Sequence, residues 1–295
     1  VLDARSQTIT VPGVRSAPTM VIFDDGNHVL KQLHFHEPTA WLATQLARDP
    51  NLWNREWVIA QLAARATDSV AIAALANASA HADYYLTRTQ AVVALGTLSA
   101  PAAAEAVLRA SHDTSSSVRA AAVVSLGEQG GVPAVARIRE AFAHDSSDQV
   151  RAAAVGALVD ADSSHVDLVL QEALRLPSYR DVIRHAALQA VAQLRDTARV
   201  PDVVGMLALD GLPAQVLGVV AARGDARALD ALLQHLNDER AGVRRFVVQG
   251  LQIAVSRPDH AEVLTRIEGT ESSLTHAETK RAVQALIAGA KGPME

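Results

Sequence analysis

The amino-acid sequence predicts a mainly α-helical fold, a right-handed α-α superhelix of about eight helix pairs, preceded by a small antiparallel β segment. Three observations predict this fold class. The hexapeptide at residues 118–123 returns 32 residues later at residues 150–155. A basic residue recurs at the same period along most of the chain. Alanine, valine and leucine dominate the apolar residues, and aromatic residues make up only 3% of the chain. A repeat of this length with few aromatic residues favours closely stacked helices.

The first predicted element is the β segment, residues 1–37. Its β-rich runs lie at residues 7–11, 19–23 and 29–35, and Asp25-Gly26 lies between the second and third runs. An Asp-Gly pair between two such runs is a strong hairpin signal. We therefore expect three strands with a tight turn. A sheet this small has a marginal core, so it should lean on the first helices or belong to a larger β domain.

The helical region is predicted to occupy residues 38–295. Its repeat is centred on one residue per copy, which is Arg55, Arg88, Arg119, Arg151, Arg184, Gln215, Arg244 and Lys280. Apolar residues three or four positions apart around each centre lie along one stripe of a helix. A polar turn and a second apolar helical stretch precede each centre, so each copy is a helix, a turn and a helix. Neither helix can bury its stripe alone, and the copies must therefore stack.

One copy departs from the pattern because Gln215 replaces the arginine. Residues that lower helix propensity cluster around it, namely Pro201, Gly205, Gly211, Pro213 and Gly218. The sequence predicts a weak joint of the stack at this copy.

The aspartate in the turn and the Val-Arg at the start of the second helix resemble HEAT repeats, a family in which such side chains form a ladder along the stack. This resemblance implies a structural ladder of Asp49, Arg55, Arg88, Asp113, Arg119, Asp148, Arg151, Asp181, Arg184, Asp238 and Arg244. The alternative is a basic stripe for a phosphate or carboxylate partner. The ladder is favoured because an acid lies a few residues before most of these arginines.

Two tryptophans are the candidate docking residues. Trp53 and Trp57 are four residues apart at the junction between the β segment and the helices, so they share a helical face. They either pack that junction or form an exposed aromatic site for a neighbouring domain.

Composition argues against several functional classes. The net charge of −5 argues against a broad nucleic-acid-binding surface, and the absence of cysteine excludes disulfides and thiol catalysis. No apolar run reaches 18 residues, so no membrane helix is predicted. We expect no catalytic, cofactor-binding or metal-binding residue in this chain. The heavy use of arginine and alanine suggests a bacterial source. Without a predicted membrane helix we expect a soluble protein of the cytoplasm or periplasm, and the sequence leaves the compartment unknown.

A second resemblance covers residues 18–31, which read PTMVIFDDGNHVLK. This segment resembles the end of the β-sandwich domain in zinc metallopeptidases of the aminopeptidase N family, where P-x-x-V-x-F-D-P-G-N-x-V-L-K is typical. Leu42, Leu46, Asp49 and Arg55 continue the likeness, whereas Asp25 departs from it. The resemblance implies a non-catalytic C-terminal region that packs on a catalytic domain absent from this chain and shapes peptide access. Zinc would be bound only in that missing domain.

The zinc motif of that family is absent here. The single His-Glu pair, His36-Glu37, is followed by Pro38 and lacks the second histidine of H-E-x-x-H. Enzymatic activity therefore stays uncertain from the sequence. The alternative function is a free-standing HEAT-repeat scaffold for protein–protein interaction. A lyase or chromophore-handling role of the same fold has no polar cluster or cysteine to support it.

Overall fold

The computed structural model describes residues 8, 10, 12–26, 28–30, 35–257 and 260–291. These residues contain sixteen α-helices and no β-strand. The helices form eight consecutive pairs, each with one of the eight repeat centres in its second helix, which confirms the predicted helical repeat. The chain divides into two compact units, Val1–Gln129 and Gly130–Glu295.

The first unit holds three helix pairs. Their bounds are α1 (Thr39–Arg48), α2 (Leu52–Ala63), α3 (Ser69–His81), α4 (Tyr85–Gly96), α5 (Pro101–Ala110) and α6 (Ser116–Gln129). The first helices α1, α3 and α5 pack in succession, and so do the second helices α2, α4 and α6. The unit therefore has two layers of stacked helices.

The second unit holds five helix pairs. Their bounds are α7 (Val132–His144), α8 (Asp148–Asp162), α9 (Asp167–Arg175), α10 (Val182–Leu194), α11 (Val200–Val204), α12 (Leu212–Ala221), α13 (Ala226–Gln234), α14 (Ala241–Ala254), α15 (Ala261–Thr270) and α16 (Ala277–Lys291). The second helices α8, α10, α12, α14 and α16 pack in succession. They form the continuous layer of this unit.

Local chemistry explains where many helices begin. The Asn51 side chain accepts a hydrogen bond from the Trp53 N–H at 3.0 Å, and the Asp68 carboxylate accepts one from the Val70 N–H at 2.8 Å. Such side chains satisfy backbone donors that a helix start leaves without partners. Proline lies in the first turn of α5, α7 and α12, where its missing N–H costs nothing.

The predicted apolar stripe forms the core. Its members are at most 3% exposed in the well-matched copies, which are Val118, Ala122, Leu126, Val150, Ala154, Leu158, Ile183, Ala187, Val191, Val243, Val247 and Leu251. Alanine at the middle position lets neighbouring second helices approach closely. The burial of these side chains confirms the stripe that the spacing predicted.

The prediction of a β segment at residues 1–37 is wrong for the described residues. No strand occurs among the described residues of the N-terminal region, although parts of the first and third predicted runs (residues 7, 9, 11 and 31–34) lie outside the described residues. The tight turn itself does form, because the Asp24 carboxylate accepts hydrogen bonds from the N–H groups of His28 and Val29 and Gly26 has a φ of 86°. Phe23, however, is 55% exposed. Without a buried apolar face, two short runs have little to hold them together as a sheet.

Two glycines bring α12, the helix of Gln215, close to α14. A Cβ atom added to Gly218 of α12 would lie 2.2 Å from the Gly250 carbonyl oxygen of α14. A Cβ atom added to Gly250 would lie 2.3 Å from the Ala214 carbonyl oxygen. Gly218 was predicted to weaken this copy through helix propensity. The structure gives it a packing role instead, since α12 and α14 meet backbone to backbone.

Candidate functional site

The turn aspartates hold the start of the second helices. The Oδ1 atoms of Asp49, Asp113 and Asp238 each accept a hydrogen bond from the backbone N–H two residues later, at 2.7 to 2.9 Å. This arrangement turns the chain and offers the helix start an acceptor. The carboxylates therefore act first on their own turn.

The repeat arginines bind the same turns through main-chain carbonyls. Arg55, Arg88, Arg119 and Arg244 each donate to the carbonyl six residues earlier. Arg151 and Arg184 instead reach back to the carbonyls of Phe142 at 2.7 Å and Leu174 at 3.1 Å, near the ends of the preceding helices. Each arginine thus binds the end of a first helix or the turn that follows it.

Carboxylate pairing links one helix pair to the next in the first unit. Arg55 Nη1 lies 2.6 Å from Asp83 Oδ1, and the Arg88 guanidinium makes two bonds to Asp113, of 2.8 and 2.9 Å. Asp83 was not identified from the sequence, because each arginine was paired only with an acid in its own copy of the repeat. The sequence feature that could have identified Asp83 is its position in the turn just before α4, the helix that carries Arg88. The residues predicted as same-turn partners in this unit, Asp49 with Arg55 and Asp113 with Arg119, meet through main-chain carbonyls.

The ladder residues of the second unit have a different set of partners. Arg184 Nη1 lies 2.6 Å from Asp181 Oδ1, which is the pairing that the sequence suggested. Asp148 Oδ2 accepts a hydrogen bond from the Tyr179 N–H at 2.7 Å and so links α8 to the next pair. Arg244 Nε donates to the Thr279 hydroxyl at 3.1 Å, where the first unit would have a carboxylate.

These contacts shift several pKa values. The hydrogen bond from Arg55 holds the pKa of Asp83 below its usual value. Burial acts to raise the pKa of Asp113, but the hydrogen bonds from Arg88 and the Ser115 N–H outweigh it and leave the pKa lowered. The two hydrogen bonds from the Arg240 side chain lower the pKa of Asp238 to about 2. These three carboxylates are therefore ionised at neutral pH.

Exposed apolar side chains gather at the starts of α2 and α4. We call this set the aromatic edge, and it comprises Leu52, Trp53, Tyr84, Tyr85 and Leu86. Trp53 is 67% exposed, and the others are 36 to 44% exposed. The rings of Tyr84 and Tyr85 have centroids 5.0 Å apart. Trp57, the second predicted docking residue, is half-buried on the same helix as Trp53.

The ladder places the two halves of the aromatic edge next to each other. Helices α2 and α4 pack together, and the Arg55–Asp83 ion pair joins the start of α2 to the residue before Tyr84. A groove of about 480 Å³ between α1 and α3 ends at the same ion pair and at His81. Its walls carry small apolar side chains such as Ala43, Ala47 and Ala74. The Arg55–Asp83 ion pair thus lies at the end of this groove and next to Tyr84 in the chain.

Neither a metal-binding group nor a membrane-spanning helix is found among the described residues. In residues 8–30 as far as they are described, 35–257 and 260–291, no three histidine or acidic side chains come together as a metal-binding group. Among the helices of the same residues, none has both the length and the apolar character that crossing a bilayer requires.

Comparison with known proteins supports the repeat. The family of HEAT repeats matches residues 72–159, which run from α3 to α8. No curated protein matches the chain. The structure of YibA from Escherichia coli is similar at 19% identity and a TM-score of 0.53, over 83% of this chain and 90% of that one. At this identity the likeness shows a shared fold.

Two further solved structures are similar at lower TM-scores. The complex of CpcE and CpcF of phycocyanin lyase from Nostoc sp. PCC7120 matches at 19% identity and a TM-score of 0.45, over 90% of this chain and 98% of that one. An archaeal HEAT-like repeats protein from Thermococcus onnurineus NA1 matches at 16% identity and a TM-score of 0.32, over 87% of this chain and 99% of that one.

The resemblance to the aminopeptidase N family is wrong. The family that matches is that of HEAT repeats, and the β segment that bore the likeness has no described strand. The match at residues 18–31 has a simpler cause. A turn needs Asp and Gly at fixed positions, and the Asp24 side chain does cap such a turn here. The expectation of a missing zinc domain is withdrawn with the resemblance.

Proposed function

We propose that the chain is a helical-repeat scaffold for protein–protein interaction and that the aromatic edge of the first unit holds the partner. The observation that carries the proposal is the exposure of Trp53 at the start of α2 and of two tyrosines at the start of the neighbouring α4, in a chain that is otherwise poor in aromatic residues. Tryptophan and tyrosine are enriched at protein interfaces, where they contribute a large share of binding energy. The match to HEAT repeats supports this role, because stacked repeats offer extended binding surfaces.

The surroundings of the aromatic edge favour binding. Asn51 caps the helix that begins with Leu52 and Trp53, and Arg55 is fixed by Asp49 and Asp83. A surface built on capped helix ends loses little conformational freedom when a partner docks. The aromatic edge therefore meets the usual requirements of an interface centre.

The test uses a double variant, Trp53→Ala with Tyr85→Ala, in chemical cross-linking and affinity capture from the source organism. We expect a protein captured by the wild type to be lost with the double variant, and its Kd to rise by about 30-fold or more, the usual effect of removing hot-spot side chains. The matched control is Tyr179→Ala, which removes an aromatic ring that is 76% exposed in the second unit. Equal capture by the double variant and the wild type would reject the proposed surface.

A further inference from the structure

Arg244 is a buried arginine with no carboxylate partner among the described residues. It is 8% exposed, and its guanidinium donates to the carbonyls of Asp238 and Glu239 and to the Thr279 hydroxyl. Its counterparts Arg55, Arg88 and Arg184 each pair with an aspartate within 2.9 Å. A buried charge without a counter-ion is costly, and carbonyl dipoles offset only part of that cost.

The donors of Arg244 are not all used. A guanidinium has five N–H groups, and the hydrogen bonds of Arg244 to described residues come from Nε and Nη1. Its Nη2 atom donates to no group in the described part of the chain, and it is not sealed from solvent. Two N–H groups of a nearly buried cation are thus available to an acceptor from outside.

A small pocket lies where these donors are available. It has a volume of about 240 Å³ between α14 and α16, and Arg244 lines it together with Arg245, Gln249, Gln252, Glu278 and Thr279. Arg245 has no carboxylate within ion-pair distance in the described residues and stacks on Phe246, with 5.7 Å between its guanidinium carbon and the ring centroid. Two arginines against one glutamate leave the pocket with a formal excess of one positive charge.

We propose that this pocket binds a carboxylate, which takes the place of the aspartate that pairs with Arg55, Arg88 and Arg184. The planar guanidinium fork matches the two oxygens of a carboxylate, and the amides of Gln249 and Gln252 offer further donors. The volume suits one carboxylate group with a short stem rather than a drug-sized ligand. The carboxylate comes from an acidic side chain of a bound protein or from a free small acid. This site does not depend on the aromatic edge of the first unit.

The experiment follows the arginine Nε–H resonances of the full chain by NMR, at constant ionic strength, during titration with sodium acetate. A second titration uses the peptide acetyl-Glu-Glu-Glu-Glu-amide, and a third uses inorganic phosphate. We expect acetate to move the Arg244 and Arg245 resonances saturably. The peptide should bind at least about tenfold more tightly if the natural carboxylate belongs to a protein. It should bind no more tightly if the natural ligand is a free small acid.

Three variants test the assignment. Arg245→Gln should weaken acetate binding by about tenfold or more, because one charge-assisted hydrogen bond is lost. Arg240→Gln is the matched control and should leave binding unchanged, since Arg240 is already held by Asp238 and does not line the pocket. Thr279→Asp should abolish binding, since it supplies an internal carboxylate to Arg244. It should still fold, because an acidic residue is favourable in the first turn of α16.

Saturable acetate binding that Arg245→Gln weakens and Arg240→Gln preserves would establish the site, even if Thr279→Asp failed to fold. The proposal would be overturned by the absence of saturable shifts with both acetate and the peptide. Binding that is unchanged in Arg245→Gln, or saturation by phosphate without any by acetate, would overturn it as well.

Discussion

At the scale of single residues, Arg88 shows how one side chain ties two helix pairs together. Its Nη1 atom donates to the Ala82 carbonyl in its own pair, at 2.9 Å. Its Nε and Nη2 atoms donate to both carboxylate oxygens of Asp113 in the next pair. Asp113 in turn accepts the Ser115 N–H, so a single charge network spans two turns. Both side chains are less than 15% exposed, which shields the pair from water and salt.

The first prediction concerns this ion pair. Replacing Arg88 with glutamine should lower the free energy of unfolding by about 2–4 kcal/mol, because Asp113 would stay buried without its cation. Urea denaturation at neutral pH measures the change. The control is Arg109→Gln, whose 3.8 Å pair with Glu105 is mostly exposed and should cost less than about 0.5 kcal/mol. Equal effects of the two substitutions would contradict a structural role for the Arg88–Asp113 ion pair.

The pH dependence gives this prediction a second readout. The pKa of Asp113 is lowered in the folded protein, because the bonds from Arg88 and Ser115 outweigh the effect of burial. A lowered folded pKa stabilises the protein above the unfolded pKa, near 3.8, and this stability is lost as the pH falls through the folded value. The stability difference between the wild type and Arg88→Gln should therefore be full at pH 6 and shrink below about pH 4.

At the scale of helices, the pair α12 and α14 depends on two glycines. Gly218 and Gly250 let the backbones meet, because any Cβ atom there would overlap a main-chain oxygen of the facing helix. A main-chain oxygen cannot move aside as a flexible side chain can. This close approach lies in the copy that lacks the repeat arginine, so packing replaces the ion pair as the link between helices.

The second prediction concerns these glycines. Gly218→Ala and Gly250→Ala should each destabilise the protein by about 1–3 kcal/mol through overpacking. The matched control is Gly156→Ala in α8, where a Cβ atom meets nothing within 4 Å. That change should stabilise the protein by about 0.5–1 kcal/mol, the ordinary gain in helix propensity. Thermal and urea unfolding compare the three variants, and stabilisation by Gly218→Ala would show that the helices are not in contact there.

At the scale of the whole molecule, stability is spread over the helix pairs of each unit. In each unit the second helices pack on their neighbours in sequence, and few contacts join distant parts of the chain. A stack of this kind has approximately nearest-neighbour stability, so damage in one pair should be felt most by the adjacent pairs. The division into two compact units sets the regions in which this can be tested.

The third prediction compares core substitutions in the two units. Leu95→Ala in α4 and Leu188→Ala in α10 each remove a side chain that is at most 1% exposed, at a cost of about 2–4 kcal/mol. Hydrogen exchange should show the loss of protection concentrated in the unit that carries the substitution. The two variants serve as controls for each other. A uniform loss of protection over the described helices in both cases would contradict local stability.

Sequence reasoning failed where a motif was read without its tertiary surroundings. Asp24 and Gly26 do form the predicted turn, yet Phe23 stays exposed and no described strand flanks it. Turn chemistry is local, whereas a sheet needs a buried face that the flanking residues do not have here. The peptidase resemblance rested on the same stretch and is overturned with it. Asp83 and Thr279 were missed because a ladder partner belongs to the following copy and carries no fixed spacing.

The sequence by itself determined the helical repeat, its period, the eight second helices and the apolar stripe on Val118, Ala122 and Leu126. These features are readable because the geometry of an α-helix is local and regular, so the spacing of residues states which side will be buried. Only the tertiary structure decided which group each arginine binds, that Trp53 is exposed at the start of α2 and the two tyrosines at the start of α4, and that Gly218 meets Gly250. Those contacts depend on how one helix pair is offset against the next, and that offset is set by packing across the stack.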